Sequence, residues 1–318
     1  MARNPRVIAA ADVILSAIVA ATAPALKLLA RYRNKLPRSS RRATAAGVAV
    51  ISHHYYSPAI AGHDLRHDLR TIRALPGLSL DLDRHRAFLV GLDFGDELRS
   101  IPMTPPSESE FGYLNNFFSA GDAEVLYGVI RRDKPRRIIE VGSGRSTLVA
   151  QLAIKQNCRH DPDYACDHIC IEPYEVPWLE GTGVTVIRER VELVDLALFD
   201  RLEAGDILFV DSSHVIRPQG DVLREINEIY PRLKAGVLVQ IHDIFTPRDY
   251  HRQWVIDEMR MWNEQYLLEA FLAYNPTYEV VCALNWLKND HPELLHEACP
   301  VLTVAMPKQP GSFWMRRV

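Results

Sequence analysis

The feature that most constrains the fold of this chain is a short glycine-containing loop between a strand pattern and a helix pattern. Ile138, Ile139 and Val141 are typical of a buried strand, and Gly142 and Gly144 follow at once. Glycine permits a tight turn and a close approach of backbone to a ligand, and the N-terminus of the next helix offers unpaired N–H groups. The loop therefore predicts a ligand site at a strand–helix junction of an α/β fold.

Strand and helix patterns alternate from about Asn115 onward, after a helix pattern over Gly121 to Arg132. The predicted strands are Arg137 to Val141, His168 to Ile171, Val184 to Arg188, Asp206 to Asp211, Gly236 to His242, Tyr278 to Leu284 and Ser312 to Arg317. This alternation is typical of a parallel sheet with helices on both faces, and the last two strands allow an antiparallel pairing. We therefore expect a seven-stranded, mostly parallel sheet.

Composition and charge narrow the class of function. The 318 residues carry a formal net charge of -3, which argues against a protein that binds nucleic acid mainly through its phosphates. The five cysteines are an odd number without the dense pattern of a secreted disulfide scaffold. We expect a cytoplasmic protein that acts on a small molecule.

The N-terminal segment leaves two interpretations open. Val7 to Ala30 is apolar and rich in alanine, but Asp12, Pro24 and Lys27 interrupt it. Six basic residues follow between positions 31 and 42, which would place the rest of the chain on the cytoplasmic side of a membrane. Residues 1–42 are either a membrane anchor or a docking helix with a solvated basic linker.

The remaining chain divides into two predicted parts. Residues 43–114 form a mainly helical N-terminal extension or lid, in which Leu65 to Leu75 is a predicted helix and Arg86 to Val90 a short element. Residues 115–318 form the domain that carries the chemistry. Just before its first helix, Phe117 or Ser119 is a candidate for closing the site, although Ser119 or Asp122 also suits a helix cap.

Two observations constrain the ligand. The loop lacks the third glycine of a dinucleotide site and the lysine–serine pair of a phosphate-binding loop, which favours a cofactor without a pyrophosphate. Glu172 closes the next predicted strand, where a carboxylate can accept hydrogen bonds from ribose hydroxyls, although it could also be a capping or surface acid. A nicotinamide-dependent oxidoreductase remains the alternative enzyme.

Four parts of the sequence form an ordered series: Glu140 to Ser146, Glu172, Asp206 to His214 and Gly236 to Phe245. Together they resemble a class I methyltransferase of the methyltransferase-24 type, over Asn115 to Val318. The resemblance implies a Rossmann-like sheet with an antiparallel last strand and a site for S-adenosylmethionine at the first loop. The implied cofactor residues are Glu140, Gly142, Ser143, Gly144, Ser146, Glu172 and Asp211. By the same resemblance Glu172 holds the ribose, and Asp211 lies near cofactor and substrate.

Four residues lie at the carboxyl ends of two predicted strands, where ligands bind in open parallel sheets: Asp211, His214, His242 and Asp243. Methyl transfer to oxygen requires removal of a proton, which a histidine base or a metal-bound site can provide. Related O-methyltransferases hold magnesium with an acid and a following acid or amide pair. Here that pair is His242-Asp243, so Asp211 and Asp243 remain as metal ligands and His242 or His214 becomes a candidate base.

These features predict an S-adenosylmethionine-dependent methyltransferase that modifies a hydroxyl of a small molecule or saccharide. A membrane-tethered module that binds the cofactor without turnover is the non-enzymatic alternative. The run from Cys158 to Cys170 contains three cysteines and two histidines, but it lacks the paired spacing of a zinc site. Cys170 is therefore predicted to be a small core residue.

Overall fold

The computed structural model describes residues 5–174, 176–302 and 309–318. The chain divides into two compact units, Met1–His67 with Arg252–Met261, and Asp68–His251 with Trp262–Val318. The division of the chain at residues 42 and 114 stays a prediction.

The first unit contains two α-helices, α1 (Pro5–Arg31) and α2 (Pro37–Ala45). Among the described residues, one helix, Arg6–Arg31, is long and apolar enough to cross a membrane by length and composition. None of its most apolar window is buried in the protein. This helix therefore exposes its apolar side chains, whereas a core helix would bury them.

The second unit is built on one sheet of seven strands. They are β1 (Arg137–Val141), β2 (Asp167–Ile171), β3 (Thr185–Ile187), β4 (Ile207–Val210), β5 (Leu238–Ile241), β6 (Tyr278–Ala283) and β7 (Phe313–Arg317). Their order across the sheet is β3-β2-β1-β4-β5-β7-β6, and β7 pairs antiparallel with both neighbours. This confirms the predicted seven-stranded, mostly parallel Rossmann-like sheet and its antiparallel last strand.

Helices cover both faces of the sheet. They are α3 (Leu82–Leu89), α4 (Gly95–Ser100), α5 (Asp122–Asp133), α6 (Arg145–His160), α7 (Asp221–Arg224), α8 (Glu264–Leu272) and α9 (Leu284–Asp290). Short π-helical segments occur at Glu225–Ile229 in this unit and at Gln253–Asp257 in the first unit. The predicted helix at Gly121 to Arg132 is confirmed by α5.

Strand periodicity determines which side chains meet which helices. In β4, Ile207 and Phe209 belong to the core packed with α5 and α6, while Leu208 and Val210 belong to the core on the opposite face. Because successive side chains of a strand alternate between faces, both faces of the parallel strands are apolar. The same alternation carries Glu140 to the α6 face, next to its apolar neighbour Ile138.

The predicted helix at Leu65 to Leu75 is wrong, because this segment contains only bends and turns. The part from Asp68 onward belongs to the second unit and bonds to distant segments of it. The N–H of Arg73 donates to the carbonyl of Pro247 at 3.0 Å, and its guanidinium donates to both carboxylate oxygens of Glu269. These long-range bonds replace the local ones that a helix would make.

Candidate active site

The glycine loop joins β1 to α6 and lines a cleft of about 350 Å³. Gly142 has φ 79°, and a Cβ atom there would lie 2.0 Å from the carbonyl oxygen of Asp211. Only glycine fits this position, because both the backbone conformation and the contact exclude a side chain. The tight turn thus brings the end of β4 against the loop.

The cleft contains most of the predicted cofactor residues. It is lined by Phe117, Phe118, Gly142, Ser143, Gly144, Arg145, Ser146, Glu172, Val176, Trp178 and Asp211. Phe117 therefore lies at the cleft, while Ser119 is not among its lining residues. Glycines, a carboxylate and aromatic rings together suit a ligand that combines an adenine ring, ribose hydroxyls and a charged amino acid part.

Glu172 is held at the edge of this cleft by backbone donors. The N–H of Ser143 donates to its Oε2 at 3.1 Å, and the N–H of Tyr174 donates to its Oε1 at 2.9 Å. Each carboxylate oxygen retains capacity to accept a further hydrogen bond. Glu172 is thus fixed to the glycine loop in a position from which it can accept bonds from a ligand in the cleft.

Glu140 lies beneath the loop and does not line the cleft. Its side chain is fully buried and accepts hydrogen bonds from Thr147 Oγ1 and Cys170 Sγ. Thr147 Oγ1 also accepts the N–H of Gly144 at 3.1 Å. The resemblance implies that Glu140 is a cofactor residue, but its side chain lies under the turn and is bonded through Thr147 to the N–H of Gly144.

The four predicted catalytic residues come together at the carboxyl edge of the sheet. His214 Nε2 lies 3.2 Å from Asp211 and 3.9 Å from Asp243, and His242 Nδ1 lies 3.4 Å and 3.8 Å from the same two carboxylates. Each imidazole thus faces both acids. Asp211 is the most accessible member, with a side chain 34% exposed, and it also lines the cofactor cleft.

His214 is held from several directions. Its Nδ1 lies 2.8 Å from Glu264 Oε2, its carbonyl accepts the N–H groups of Asn263 and Glu264, and its ring lies 4.3 Å from that of Trp262. The residue has φ 60°, as Asp243 has φ 55°. Left-handed conformations at residues other than glycine cost energy and concentrate at functional sites. The contacts around His214 hold it in this conformation and direct its Nε2 toward the two aspartates.

Asp122 is a site residue that sequence reasoning missed. The sequence suggests only a helix cap, but Asp122 Oδ2 lies 3.5 Å from His242 Nε2. Its other oxygen accepts the N–H groups of Gly311 and Ser312 at 3.0 and 2.8 Å. No local pattern could reveal this contact, because the strand order alone brings the start of α5 to the end of β5.

The surroundings determine the charges of the cluster. Burial acts to lower the pKa of His214, but hydrogen bonds from its ring to Asp211 and Glu264 raise it to about 10. Burial also opposes the charge of His242, yet Asp243 and Asp211 hold the pKa of His242 well above its usual value. Burial acts to raise the pKa of Asp211, but His242 and His214 hold it far below its usual range. Without a metal, both imidazoles are therefore cations and Asp211 is ionised.

One set of donors at this edge has the geometry of a cation site. Ligand atoms of Asp211, His214 and Asp243 all lie within 4.8 Å of one another. The set contains the predicted ligands Asp211 and Asp243 and adds His214. Glu264 orients the ring of His214 in the way that carboxylates orient metal-binding histidines. Two carboxylates and one imidazole suit manganese or zinc better than magnesium.

A second set of donors lies beneath the loop, where Glu140, His168 and Cys170 approach one another. All three side chains are buried, and they already bond to one another or to Thr147 and Gln151. Cys170 is a core residue, as predicted.

The stretch that carries this site is similar to a known family. Residues 139–244 match the Methyltransf_24 family model, described as a methyltransferase domain. An uncharacterized protein of Archaeoglobus fulgidus is 28% identical over 167 residues, which are 48% of this chain and 74% of that protein. The stretch that matches the family model contains every predicted cofactor and catalytic residue, from Glu140 to Asp243.

Two solved structures are similar to this chain at a lower sequence identity. A candidate methyltransferase from Thermobifida fusca YX has a TM-score of 0.36 and 12% identity, over 63% of this chain and 84% of that one. The plantazolicin methyltransferase BpumL in complex with SAH has a TM-score of 0.34 and 11% identity, over 74% of this chain and 96% of that one. The nicotinamide-dependent oxidoreductase is not favoured, because the family match at the loop is to a methyltransferase domain.

Proposed function

Because this chain carries a class I methyltransferase domain that uses S-adenosylmethionine, we propose that it methylates a hydroxyl oxygen of a small molecule or saccharide. The observation that carries the proposal is the acid–histidine cluster at the open edge of the cleft. Asp211 belongs to both, so an acceptor next to this cluster would lie beside the cofactor.

The glycine loop and Glu172 suit the cofactor. The backbone of Gly142, Ser143 and Gly144 would lie against its amino acid part, and the carboxylate of Glu172 would accept bonds from the ribose. S-adenosylmethionine supplies a methyl group on a positively charged sulfur. Phe117, which is 70% exposed at the mouth of the cleft, would exclude water from that group when a ligand is bound.

The cluster would activate the acceptor by proton transfer and charge. Burial raises the pKa of Asp243, which makes it a better proton acceptor than Asp211. In our proposal Asp243 takes the hydroxyl proton, and the two imidazolium groups stabilise the negative charge that develops on the oxygen. Asp211 orients the acceptor and both imidazoles.

The test is release of S-adenosylhomocysteine in the presence of catechols, phenols and monosaccharides as acceptors. With a turned-over acceptor, we expect D243N and D211N each to lower kcat by about a hundredfold or more, and H242A by at least tenfold. D163N changes an exposed acid outside the site and should retain full activity. Turnover of amines in place of hydroxyls, or losses of no more than a few-fold in both aspartate variants, would contradict the proposal.

A divalent cation bound by Asp211, His214 and Asp243 is the second candidate for the activating group. The observation in its favour is the convergence of these three donors with Glu264 behind the histidine. Such a cation would supply Lewis acidity next to the acceptor oxygen. Activity that is lost in EDTA and restored by Mn²⁺ or Mg²⁺ would support it, and undiminished activity in EDTA would leave Asp243 and the two histidines as the activating groups.

We further propose that residues 1–42 attach the enzyme to the cytoplasmic face of a membrane, with 43–114 as an extension and 115–318 as the catalytic domain. Support comes from the exposed apolar side chains of α1 and the basic residues that follow it. Cell fractionation of the full chain and of a chain without residues 1–42 tests the attachment. Equal recovery of both in the soluble fraction would contradict it.

A further inference from the structure

The segment after α1 presents an unusually concentrated positive charge. Its six basic residues are Arg31, Arg33, Lys35, Arg38, Arg41 and Arg42, which we call the basic surface. All six are exposed, and none forms an ion pair with any part of the chain that the structure describes. No acidic residue occurs between Asp12 and Asp64. The charge of this surface is thus left for a partner outside the protein.

The basic surface is carried by ordered backbone. Arg38, Arg41 and Arg42 occupy positions i, i+3 and i+4 of α2, which places them on one face of that helix. The hydroxyl of Ser40 donates to the carbonyl of Arg33 at 2.9 Å, and the guanidinium of Arg33 reaches Thr44 Oγ1 at 3.5 Å. These bonds hold the residues that precede α2 against the helix, so the backbone that carries the six cations has a defined conformation.

The position of the basic surface at the end of α1 indicates what it faces. A helix of 27 residues is about 40 Å long, somewhat more than the roughly 30 Å of a bilayer's hydrocarbon core. Tyr32 follows directly, and Arg31 and Lys35 lie 5.4 and 5.9 Å from the centre of its ring. Tyrosine next to basic residues is typical of the boundary between hydrocarbon and headgroups.

We propose that the basic surface, with the arginine face of α2 at its centre, binds the headgroups of anionic phospholipids. The inference rests on the proposed attachment through α1 and adds a lipid selectivity to it. Charge complementarity carries the choice of partner, since the whole chain is net negative at -3 while this surface is uniformly positive. Each basic residue near an anionic membrane strengthens binding about fivefold, so three on one helix face give strong selection.

The experiment uses the full chain in detergent micelles that contain phosphatidylglycerol and phosphatidylcholine in equal amounts, with native mass spectrometry to count the retained lipids. We expect the wild-type chain to retain phosphatidylglycerol at least fivefold over phosphatidylcholine. R38Q/R41Q/R42Q should reduce this ratio several-fold, and the three basic residues that remain account for the preference that is left. The control R136Q/R159Q/R190Q removes three exposed arginines of the other unit, none of them in an ion pair with a described residue, and should keep the wild-type ratio.

Equal retention of the two lipids by the wild-type chain, or the same loss in both triple variants, would overturn the proposal. So would a short RNA that displaces the lipid from the basic surface at equal concentration. Flotation of the full chain with vesicles of phosphatidylcholine alone tests the attachment through α1 separately. If the chain floats with these vesicles but shows no lipid preference, the proposed attachment through α1 holds and the proposed headgroup site is wrong.

Discussion

Four carboxylates from different elements surround the two histidines of the site, and each histidine has a different set of neighbours. His214 lies between Glu264 and Asp211, and His242 lies between Asp122 and Asp211. Burial of an imidazolium is tolerated only because these carboxylates lie on both sides of the ring. At the scale of the residue, the pKa values of the two histidines therefore depend on Glu264 and Asp122 as well as on the two aspartates beside them.

Asp122 is the clearest case, and D122N tests it. Asparagine keeps an oxygen for the N–H groups of Gly311 and Ser312 but removes the charge beside His242 Nε2. We expect kcat to fall about tenfold or more, because a charge-assisted interaction with the imidazolium is lost, while the affinity for S-adenosylhomocysteine stays within a few-fold. Steady-state kinetics and calorimetry check the two parts, and an unchanged kcat would show that Asp122 serves only the backbone.

The protonation of His214 predicts a dependence of stability on pH. Its pKa of about 10 lies above the ordinary value of about 6.5 in an unfolded chain. The imidazolium therefore contributes stability that is complete below about pH 6.5 and is lost as the pH rises through about 10. Urea unfolding in EDTA should show the wild type losing on the order of a few kcal/mol relative to H214Q across this window. H296Q, at an exposed histidine, should follow the wild type.

At the scale of the element, the junction of β1, the glycine loop and α6 is held from below and from the side. Thr147 joins the start of α6 to Glu140 in β1, and Gly142 lets the end of β4 approach the loop. The loop thus presents its backbone to the cleft while its support is buried. Glu140 thus supports the loop without lining the cleft.

Gly142→Ala tests the close approach within this junction. The added methyl group would meet the carbonyl oxygen of Asp211, so either the loop or the end of β4 must move. We expect a lower melting temperature and at least a tenfold weaker affinity for S-adenosylhomocysteine. Gly144→Ala is the matched control, because a Cβ at Gly144 meets no atom within 4 Å and should leave stability near the wild type. Equal stability and affinity of the two variants would contradict the role of the contact.

At the scale of the whole molecule, the antiparallel strand β7 connects the catalytic edge to the core. Ser312 and Gly311 at its start bind Asp122, while Trp314 is fully buried with its ring 5.5 Å from Phe88. One short strand thus supports both the histidine site and the packing of α3. Damage to the core here should be transmitted to the site.

Trp314→Ala measures how much this strand contributes to the core. Removing a fully buried indole should lower the free energy of unfolding by about 3–5 kcal/mol, because the surrounding side chains cannot fill the cavity. Leu193→Ala, at a side chain 65% exposed, should change it by less than about 0.5 kcal/mol. Urea unfolding of both variants gives the comparison, and a loss below about 1 kcal/mol for Trp314→Ala would contradict the prediction.

The sequence by itself determined the sheet, the glycine loop and the four residues at the strand ends. Those signals are local: apolar runs predict buried strands, and parallel strands place their carboxyl ends at one edge. It misjudged Leu65 to Leu75, because arginine and backbone bonds to distant segments replaced the helix there. It also left the positions of the acids relative to one another open.

Only the tertiary structure decided where each of these acids lies and which residues it contacts. Glu140 lies under the loop because strand alternation turns it toward α6, and Asp122 reaches His242 because the sheet order brings α5 to the end of β5. Glu264 is 50 residues from His214 in the chain, yet it fixes the imidazole. Such contacts follow from packing between distant segments, which leaves no periodic mark in the sequence.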